Sequence, residues 1–356
     1  MEVIINARFL TQKLTGVQRF AVEIAKQIKR IKPSVVFVAP ADIIHKELFT
    51  ELGAKIIGSN KGVLWEQVDL PLFLIKSNKP LLINLCNAAP LFYNNQVITL
   101  HDVAFFVNPD WFSKKFVCYY KFLIPRISKK AKLIFTVSHF SKKEIIKYID
   151  TEPQKIKVIY NSVSDLPGAV EHSVDYGRYI LVVGSIDKRK NIANLIAAFN
   201  LIRHKDFKLI IVGDVNAIFN NKDNESLKSH DDVVFLGRVN DNELAGLYSN
   251  ALMFVYPSLY EGFGIPPLEA MAYGSPTIVA NIDSLQEVCG DASLYVNPLD
   301  VEDISKKISI LANNNELRNE LIQKGEKNIT RFSWELSARQ MIDSVLLLDK
   351  NITKGM

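Results

Sequence analysis

Residues 260–279 read Tyr-Glu-Gly-Phe-Gly-Ile-Pro-Pro-Leu-Glu-Ala-Met-Ala-Tyr-Gly-Ser-Pro-Thr-Ile-Val, and two carboxylates within them, Glu261 and Glu269, stand eight positions apart. Pro266 and Pro267 suit the first turn of a helix, where a missing N–H is no loss and a fixed φ helps. Gly274 followed by Ser275-Pro276 is a stop signal for that helix. The preceding run from Ala251 to Pro257 is apolar and reads as a buried strand, which sets Glu261 on the loop leaving it. The unit is strand, glycine-rich turn, helix. A helix N-terminus offers backbone N–H groups and partial positive charge to an anion, and glycines let the backbone come close. A diphosphate fits such a place. Glu261 then faces the head of the ligand, while Glu269, deeper in the helix, is suited to accept hydrogen bonds from both hydroxyls of a ribose. The pair alone also reads as a helix-terminal carboxylate and an ordinary surface glutamate; the neighbouring residues weigh against that.

Glu261-Gly-Phe-Gly-Ile-Pro-Pro-Leu-Glu269-Ala-Met-Ala resembles the Glu-x7-Glu signature of the retaining, sugar-nucleotide-dependent glycosyltransferases of family 4. The resemblance covers nearly the whole chain, because further segments match in the family's order. It implies the B-type glycosyltransferase fold (GT-B): an α/β chain with two Rossmann-like, doubly wound parallel-sheet domains facing a cleft. The expected division is an acceptor-side domain over 1–165 and a nucleotide-sugar domain over 176–334, with a C-terminal helix at about 335–356 packing back on the first. Ser162 to Gly177, with Pro167, Gly168 and few large apolar residues, is the expected linker.

A chain of 356 residues is long enough for two separate cores, and 48% apolar with 23% charged residues is an ordinary globular mixture. Cys86, Cys118 and Cys289 are too widely spaced for a disulfide framework or a zinc site, which points to a reducing cytoplasm. No apolar run reaches the roughly 18 residues of a spanning helix, and Val3-Ile4-Ile5 opens the chain as a strand rather than a signal peptide. Residues 1–165 hold 24 Lys and Arg against 13 Asp and Glu, leaving 19 against 25 for the remainder. The basic half concentrates in Phe105 to Leu133, where Trp111, Phe112, Phe116, Tyr119, Tyr120 and Phe122 interleave with Lys114, Lys115, Lys121, Arg126, Lys129, Lys130 and Lys132. Aromatic and basic residues so mixed suit an anionic membrane surface, with a core helix bearing a solvated basic face as the plainer reading. No nucleic-acid motif accompanies the charge, so no nucleic-acid partner is expected.

Strands alternate with helices along both halves, as a parallel doubly wound sheet requires, and ligands of such sheets bind beyond the strands' carboxyl ends. Helices are expected over Val17 to Ile28, Ile43 to Leu52, Trp65 to Ile75 and Lys142 to Tyr148, the last capped by Ser138 and Ser141. The stretch from Asn281 through Ala292 is expected to complete the second sheet's edge. By resemblance, Gly16 in Thr15-Gly16-Val17 lies against the donor diphosphate. His101 and Asp102, following strand Val97 to Leu100, line the acceptor side, with His101 counted among the catalytic residues. Strand Tyr179 to Val183 leads to Gly184-Ser185-Ile186-Asp187-Lys188-Arg189-Lys190-Asn191. Cations on such a loop neutralise a departing diphosphate, and Arg189 and Lys190 take that role. The family carries an arginine where this chain has Ser185, which is kept among the donor-binding residues. Strand Lys208 to Val212 ends in Gly213-Asp214, and by resemblance the loop at Arg238-Val239 holds the nucleotide base through backbone groups. Gly262, Phe263, Gly264 and Ile265 complete the donor site, with Glu261 and Lys190 catalytic.

The chain has no Gly-x-Gly-x-x-Gly, Gly-x4-Gly-Lys-Ser/Thr, Gly-x-Ser-x-Gly or His-Glu-x-x-His motif, and no Asp-x-Asp metal clamp. The expected activity is transfer of a hexose such as mannose, with retention and without metal or cofactor, from a nucleoside diphosphate sugar to a hydroxyl of a saccharide or lipid-linked saccharide. The expected setting is cell-surface polysaccharide (lipopolysaccharide) synthesis, in the cytoplasm or peripherally on the inner face of the membrane. A sugar-nucleotide epimerase or phosphorylase of the same fold, and a catalytically silent assembly subunit, remain the alternatives.

Overall fold

The computed structural model describes residues 2–164, 176–213 and 232–353. It comprises two compact units, Met1–Asn161 with Ser333–Met356, and Ser162–Phe332. The first runs β1 (Val3–Asn6), α1 (Gly16–Ile31), β2 (Val36–Ala39), α2 (Lys46–Leu52) and β3 (Lys55–Ile56). A short α3 (Gly62–Leu64) passes through a π-helical turn (Trp65–Asp69) into α4 (Leu70–Lys76). Then come β4 (Leu81–Asn84), β5 (Gln96–Thr99), α5 (Ala104–Val107), α6 (Lys114–Lys130), β6 (Leu133–Thr136), α7 (His139–Tyr148) and β7 (Ile156–Val158). The strands form one parallel sheet in the order β3-β2-β1-β4-β5-β6-β7. β1, β4, β5 and β6 are buried along their whole length, as strands covered on both faces must be.

The second unit runs β8 (Tyr179–Val183), α8 (Ile192–Leu201), β9 (Lys208–Val212), β10 (Val233–Gly237), α9 (Asp241–Asn250) and β11 (Met253–Tyr256). It continues with α10 (Ile265–Ala272), β12 (Thr277–Ala280), α11 (Asp283–Cys289), β13 (Ser293–Val296), α12 (Val301–Ala312) and α13 (Asn315–Ile329). Its parallel sheet has the order β10-β9-β8-β11-β12-β13. The core joins Ile180, Val182, Leu209, Ile211, Val255 and Ile278 of the strands to Leu195 and Phe199 of α8 and Ile304 and Ile308 of α12. The last helix, α14 (Trp334–Thr353), belongs to the first unit and packs along α1, where Trp334 meets Phe20 edge-on at 5.9 Å.

Three local expectations are corrected. α2 starts at Lys46 rather than Ile43, because the amides of Ile44 and His45 donate to the Leu10 carbonyl and hold the chain out of the helix. α7 starts at His139, so Ser138 alone caps it; Ser141 lies inside the helix and gives its hydroxyl proton to the His101 carbonyl at 3.0 Å. Residues 283–289 are helix α11, and β13 is the sheet edge. Most of the expected linker, residues 165–175, and Asp214 lie outside the described residues. Among the described residues no helix is long and apolar enough to cross a membrane.

One glycine is dictated by the close approach of two strand ends. A Cβ on Gly213, just past β9, would lie 1.8 Å from the Gly184 carbonyl oxygen, just past β8. Backbone cannot swing aside as a side chain can, so Gly213→Ala is expected to destabilise the second unit by about 1–3 kcal/mol or more, measured by denaturant titration followed by circular dichroism.

Candidate active site

The second sheet changes its direction of winding between β8 and β11, and open α/β sheets take ligands at such a switch point. The loops leaving these two strands are joined side by side. Asn191 donates its side-chain amide to the Pro257 carbonyl (3.1 Å), and the Leu259 amide donates to the Arg189 carbonyl (2.8 Å). Arg189 Nη1 donates to the Tyr260 carbonyl (3.2 Å) and to Glu261 Oε2 (3.0 Å), and Lys190 Nζ donates to Glu261 Oε1 (2.7 Å). Both oxygens of one carboxylate are thus held by cations more than seventy residues away in the chain. Asn191 supports the loop from a left-handed conformation (φ 59°), which asparagine tolerates, and also reaches the Pro298 carbonyl at 2.6 Å.

The rest of this loop serves the same triad. Asp187 accepts from the Lys190 amide (3.2 Å) and from the Ser185 hydroxyl (2.7 Å). Ser185 therefore acts here by fixing Asp187. Lys190 also donates to the Tyr256 hydroxyl and sits over that ring, 4.5 Å from its centroid. Burial works against charge on Glu261, but Arg189 and Lys190 outweigh it and hold the carboxyl down at about 2. Burial lowers Lys190, with Glu261 opposing that shift, and burial together with Glu261 drives the Tyr256 phenol well up.

α10 begins as its prolines require. Gly264 precedes it at φ 112°, and a Cβ there would come within 2.6 Å of Leu285 Cδ2. Pro266 and Pro267 carry no N–H, so the terminus offers the amides of Gly264 and Ile265 rather than a full set. Phe263 is buried with its ring edge-on to Phe332 at 5.5 Å, which leaves its backbone as its contribution to the turn formed with Gly262. Glu269 is buried on α10 and accepts from the Tyr248 hydroxyl of α9 at 2.9 Å. Arg238 is exposed and Val239 partly so at the carboxyl end of β10, ahead of a capping box made by Asn240 and Glu243.

Three of the expected residues belong to the other unit. Gly16 is the exposed first residue of α1, with open space where a Cβ would stand. His101 is buried beyond β5, edge-on to Phe20 at 4.8 Å, and its Nε2 lies 3.1 Å from the Leu85 carbonyl. A carbonyl only accepts, so Nε2 carries the proton, and burial lowers the ring's pKa. Asp102 accepts from the Ala104 amide at 3.0 Å and so starts α5. Among the described residues no group of His, Cys, Asp and Glu is arranged to hold a metal ion.

Residues 14–165 match the family described as Glycosyltransferase Family 4, and residues 170–328 match Glycosyl transferases group 1. The O-antigen chain mannosyltransferase RfbU of Salmonella typhimurium is 31% identical over 365 residues, covering 98% of this chain and 100% of that one. The chain belongs to glycosyltransferase family 4. The O-antigen chain mannosyltransferase B of Escherichia coli is 33% identical over 269 residues, 71% of this chain and 70% of that protein. Anabaena Alr3699/HepE, solved with UDP and glucose, superposes with a TM-score of 0.76 at 18% identity over 97% of this chain and 99% of its own. At that identity the likeness speaks for the fold, which is GT-B.

Four partners escaped the reading of the sequence: Asp187, Asn191, Tyr248 and Tyr256. Tyr256 had a signal, a polar-tipped residue at the carboxyl end of an otherwise apolar strand. Tyr248 had none, since its partner Glu269 lies 21 positions away on another helix.

Glu261 ties stability to pH. Its folded value lies below the ordinary 4.5, so its contribution is complete above about pH 4.5 and is lost as pH falls toward 2. Glu261→Gln leaves Lys190 buried without its counter-charge and is expected to cost about 3–5 kcal/mol at neutral pH, with a shallower loss across the acid window than wild type. Trp65, Trp111 and Trp334 all lie in the first unit, so the measurement is hydrogen exchange at the β8 and β11 amides. An equally steep acid loss in the variant would assign it to other groups.

Proposed function

We propose that this chain is a retaining glycosyltransferase that moves a hexose from a nucleoside diphosphate sugar to a hydroxyl of a saccharide or lipid-linked saccharide in cell-surface polysaccharide synthesis. The observation that carries this reading is the triad of buried Lys190 and Glu261 with partly buried Arg189 at the switch point of the second sheet. Mannose is the favoured hexose because the relatives above are named mannosyltransferases, and a nucleoside diphosphate donor is favoured because HepE was solved with UDP-glucose. Arg189, Lys190 and the amides ahead of α10 meet the charge of the departing diphosphate in place of a metal. The acceptor oxygen attacks the anomeric carbon on the face the phosphate leaves, and its proton passes to a phosphate oxygen. Glu261 opposes the positive charge developing at the anomeric carbon and ring oxygen. Glu269 holds the ribose, Arg238 and Val239 the base, Gly16 the diphosphate, and His101 and Asp102 belong to the acceptor.

The two glutamates separate in kinetics. Ribose binding is equal in ground and transition states, so Glu269→Gln is expected to raise donor KM by about 10- to 150-fold with kcat little changed. Glu261→Gln is expected to lower kcat more than it changes KM. Both are measured with one donor in EDTA, where wild-type turnover is expected, and the product anomer is read by NMR. Two variants that raise KM alike and leave kcat intact would reduce Glu261 to a binding residue. A wild type that neither transfers nor hydrolyses any UDP-, GDP- or ADP-sugar would favour the silent-subunit reading.

The proposed setting is the cytoplasmic face of an anionic membrane. α6 and its flanks, residues 114–132, carry seven cations and no acid. Arg126 stacks over Phe122 at 3.8 Å, and Lys130 lies 5.6 Å from the ring centroid of Phe92, which is 76% exposed. Part of the expected aromatic set packs on itself instead: Phe112, Phe116 and Tyr120 gather around the buried Phe105, with Phe116 still exposed. Exposed aliphatic residues come from a stretch read from the sequence only as a helix: Val63, Leu64, Val68, Leu72 and Ile75, along α3 to α4. Residues 89–91 join the two, since Gln67 bonds Ala89 and Leu91, and Lys130 bonds the Leu91 carbonyl. Each cation near an anionic surface is worth about 1 kcal/mol, so binding to anionic vesicles is expected to fall steeply with salt, and to weaken further in Leu72→Ser/Phe92→Ser. Equal co-sedimentation with neutral and anionic vesicles at low salt would rule out the electrostatic attachment.

A further inference from the structure

The first sheet has its own switch point, between β1 and β4, and the groups gathered there have no part in the assignments above. β1 and β4 end in two buried asparagines. Asn6 Nδ2 donates to Asn84 Oδ1 and to Glu66 Oε1, both at 3.0 Å, and Asn84 Nδ2 donates to Gln96 Oε1 at 3.2 Å. Arg8, two residues past β1, donates from Nε to the same Glu66 Oε1 at 3.1 Å. Glu66 is 1% exposed, and it stands on the π-helical turn, a geometry that recurs at functional sites.

This network is incomplete in a specific way. Among the described residues, Glu66 Oε2 is buried without a hydrogen-bond partner. Arg8 engages through Nε alone, and its Nη1 and Nη2 have no acceptor among the described residues, although its side chain is only 12% exposed. A buried polar group without a partner is costly, so Glu66 Oε2 calls for one, and the Arg8 guanidinium edge beside it is a donor able to share the same ligand. The chemistry narrows which one. An ionised carboxylate only accepts and a guanidinium only donates, so the ligand group must do both. An anion would satisfy Arg8 and be repelled by Glu66, and a cation would do the reverse. A hydroxyl satisfies both. The partly exposed residues that couple electrostatically to Arg8 are Cys86, Tyr119 and Tyr120, and the two tyrosine rings meet edge-on at 5.2 Å, offering hydroxyl-tipped aromatic rings beside the polar pair.

We propose that Arg8 and Glu66 form a saccharide subsite that takes hydroxyls of the acceptor sugar, one donating to Glu66 Oε2 and the same or its neighbour accepting from Arg8 Nη. The proposal rests on the glycosyl-transfer reading for the word acceptor, and the hexose site itself is tested without turnover. Methyl α-mannopyranoside is titrated into the full chain without donor, by ligand-observed NMR, for wild type, Arg8→Lys and Glu66→Gln. Arg8→Lys keeps the charge and loses the fork, so it reports even where Glu66→Gln fails to fold; thermal midpoints identify that failure. Losing a hydrogen bond to a charged group is expected to weaken hexoside binding by about 10- to 150-fold. Hexoside affinity unchanged in a folded Arg8→Lys overturns the site. So does competition by inorganic phosphate, which would make Arg8 an anion site. Donor hydrolysis by wild type is followed in parallel, so that failure of the transferase reading appears there and failure of the subsite appears in the hexoside titration.

Discussion

One carboxylate held by two cations governs the second unit. Taking Glu261, Lys190 and most of Arg189 out of water costs several kcal/mol for each ion, and only close, well-directed contacts recover that cost. The structure meets the condition by placing the two cations on consecutive residues of one loop and their counter-charge on the neighbouring loop, at strands already paired in the sheet. The remaining contacts follow from that need. Asn191 and the Leu259 amide fix the distance between the loops, and Asp187 fixes the turn that aims Lys190. A charged group left alone there would be far more costly than the pairs are favourable, so the loops have little freedom to part.

Both sheets use their switch points alike. In each, the first and fourth strands in the unit's chain order lie side by side, and near their carboxyl ends stands a buried carboxylate with an arginine partner: Glu261 with Arg189, Glu66 with Arg8. They differ in completeness. Glu261 has partners on both oxygens, and its pKa is pulled down; Glu66 has partners on one, and burial raises its pKa despite Arg8 and Asn6. A completed carboxylate stays ionised and holds its cations. An incomplete one still has hydrogen-bonding capacity to give.

What could be read from the sequence was what is local. The strand-turn-helix around Pro266, the alternation that makes two parallel sheets, and the cations after β8 are set by neighbours within a dozen residues, so periodicity and turn chemistry reveal them. The start of α2 was not legible, because it depends on a carbonyl at Leu10, over thirty positions earlier. The meeting of Arg189 and Lys190 with Glu261 was hidden for the same reason, and so were Arg8 and Glu66, 58 positions apart. Beside Gln67 and Asp69, Glu66 looked like any solvated glutamate; only the fold turns it inward.

The depressed pKa of Glu261 also limits what it can do chemically. A group held at about 2 neither takes nor gives a proton usefully near neutrality, where a general acid or base needs a value close to the working pH. Its available action is electrostatic: a fixed negative charge, already oriented and requiring no rearrangement when positive charge develops nearby. In the proposed reaction Arg189 and Lys190 face the departing diphosphate and Glu261 faces the sugar, with Asp187 beside Arg189 at 3.9 Å balancing the second cation. Burial lowers the pKa of Lys190 against the opposing pull of Glu261, but its Nζ is committed to Glu261 and to the Tyr256 hydroxyl rather than open to an attacking hydroxyl. The proton of an attacking hydroxyl therefore has no acceptor within the triad, and in the proposed reaction it falls to the one group whose basicity rises as the bond breaks, the leaving phosphate.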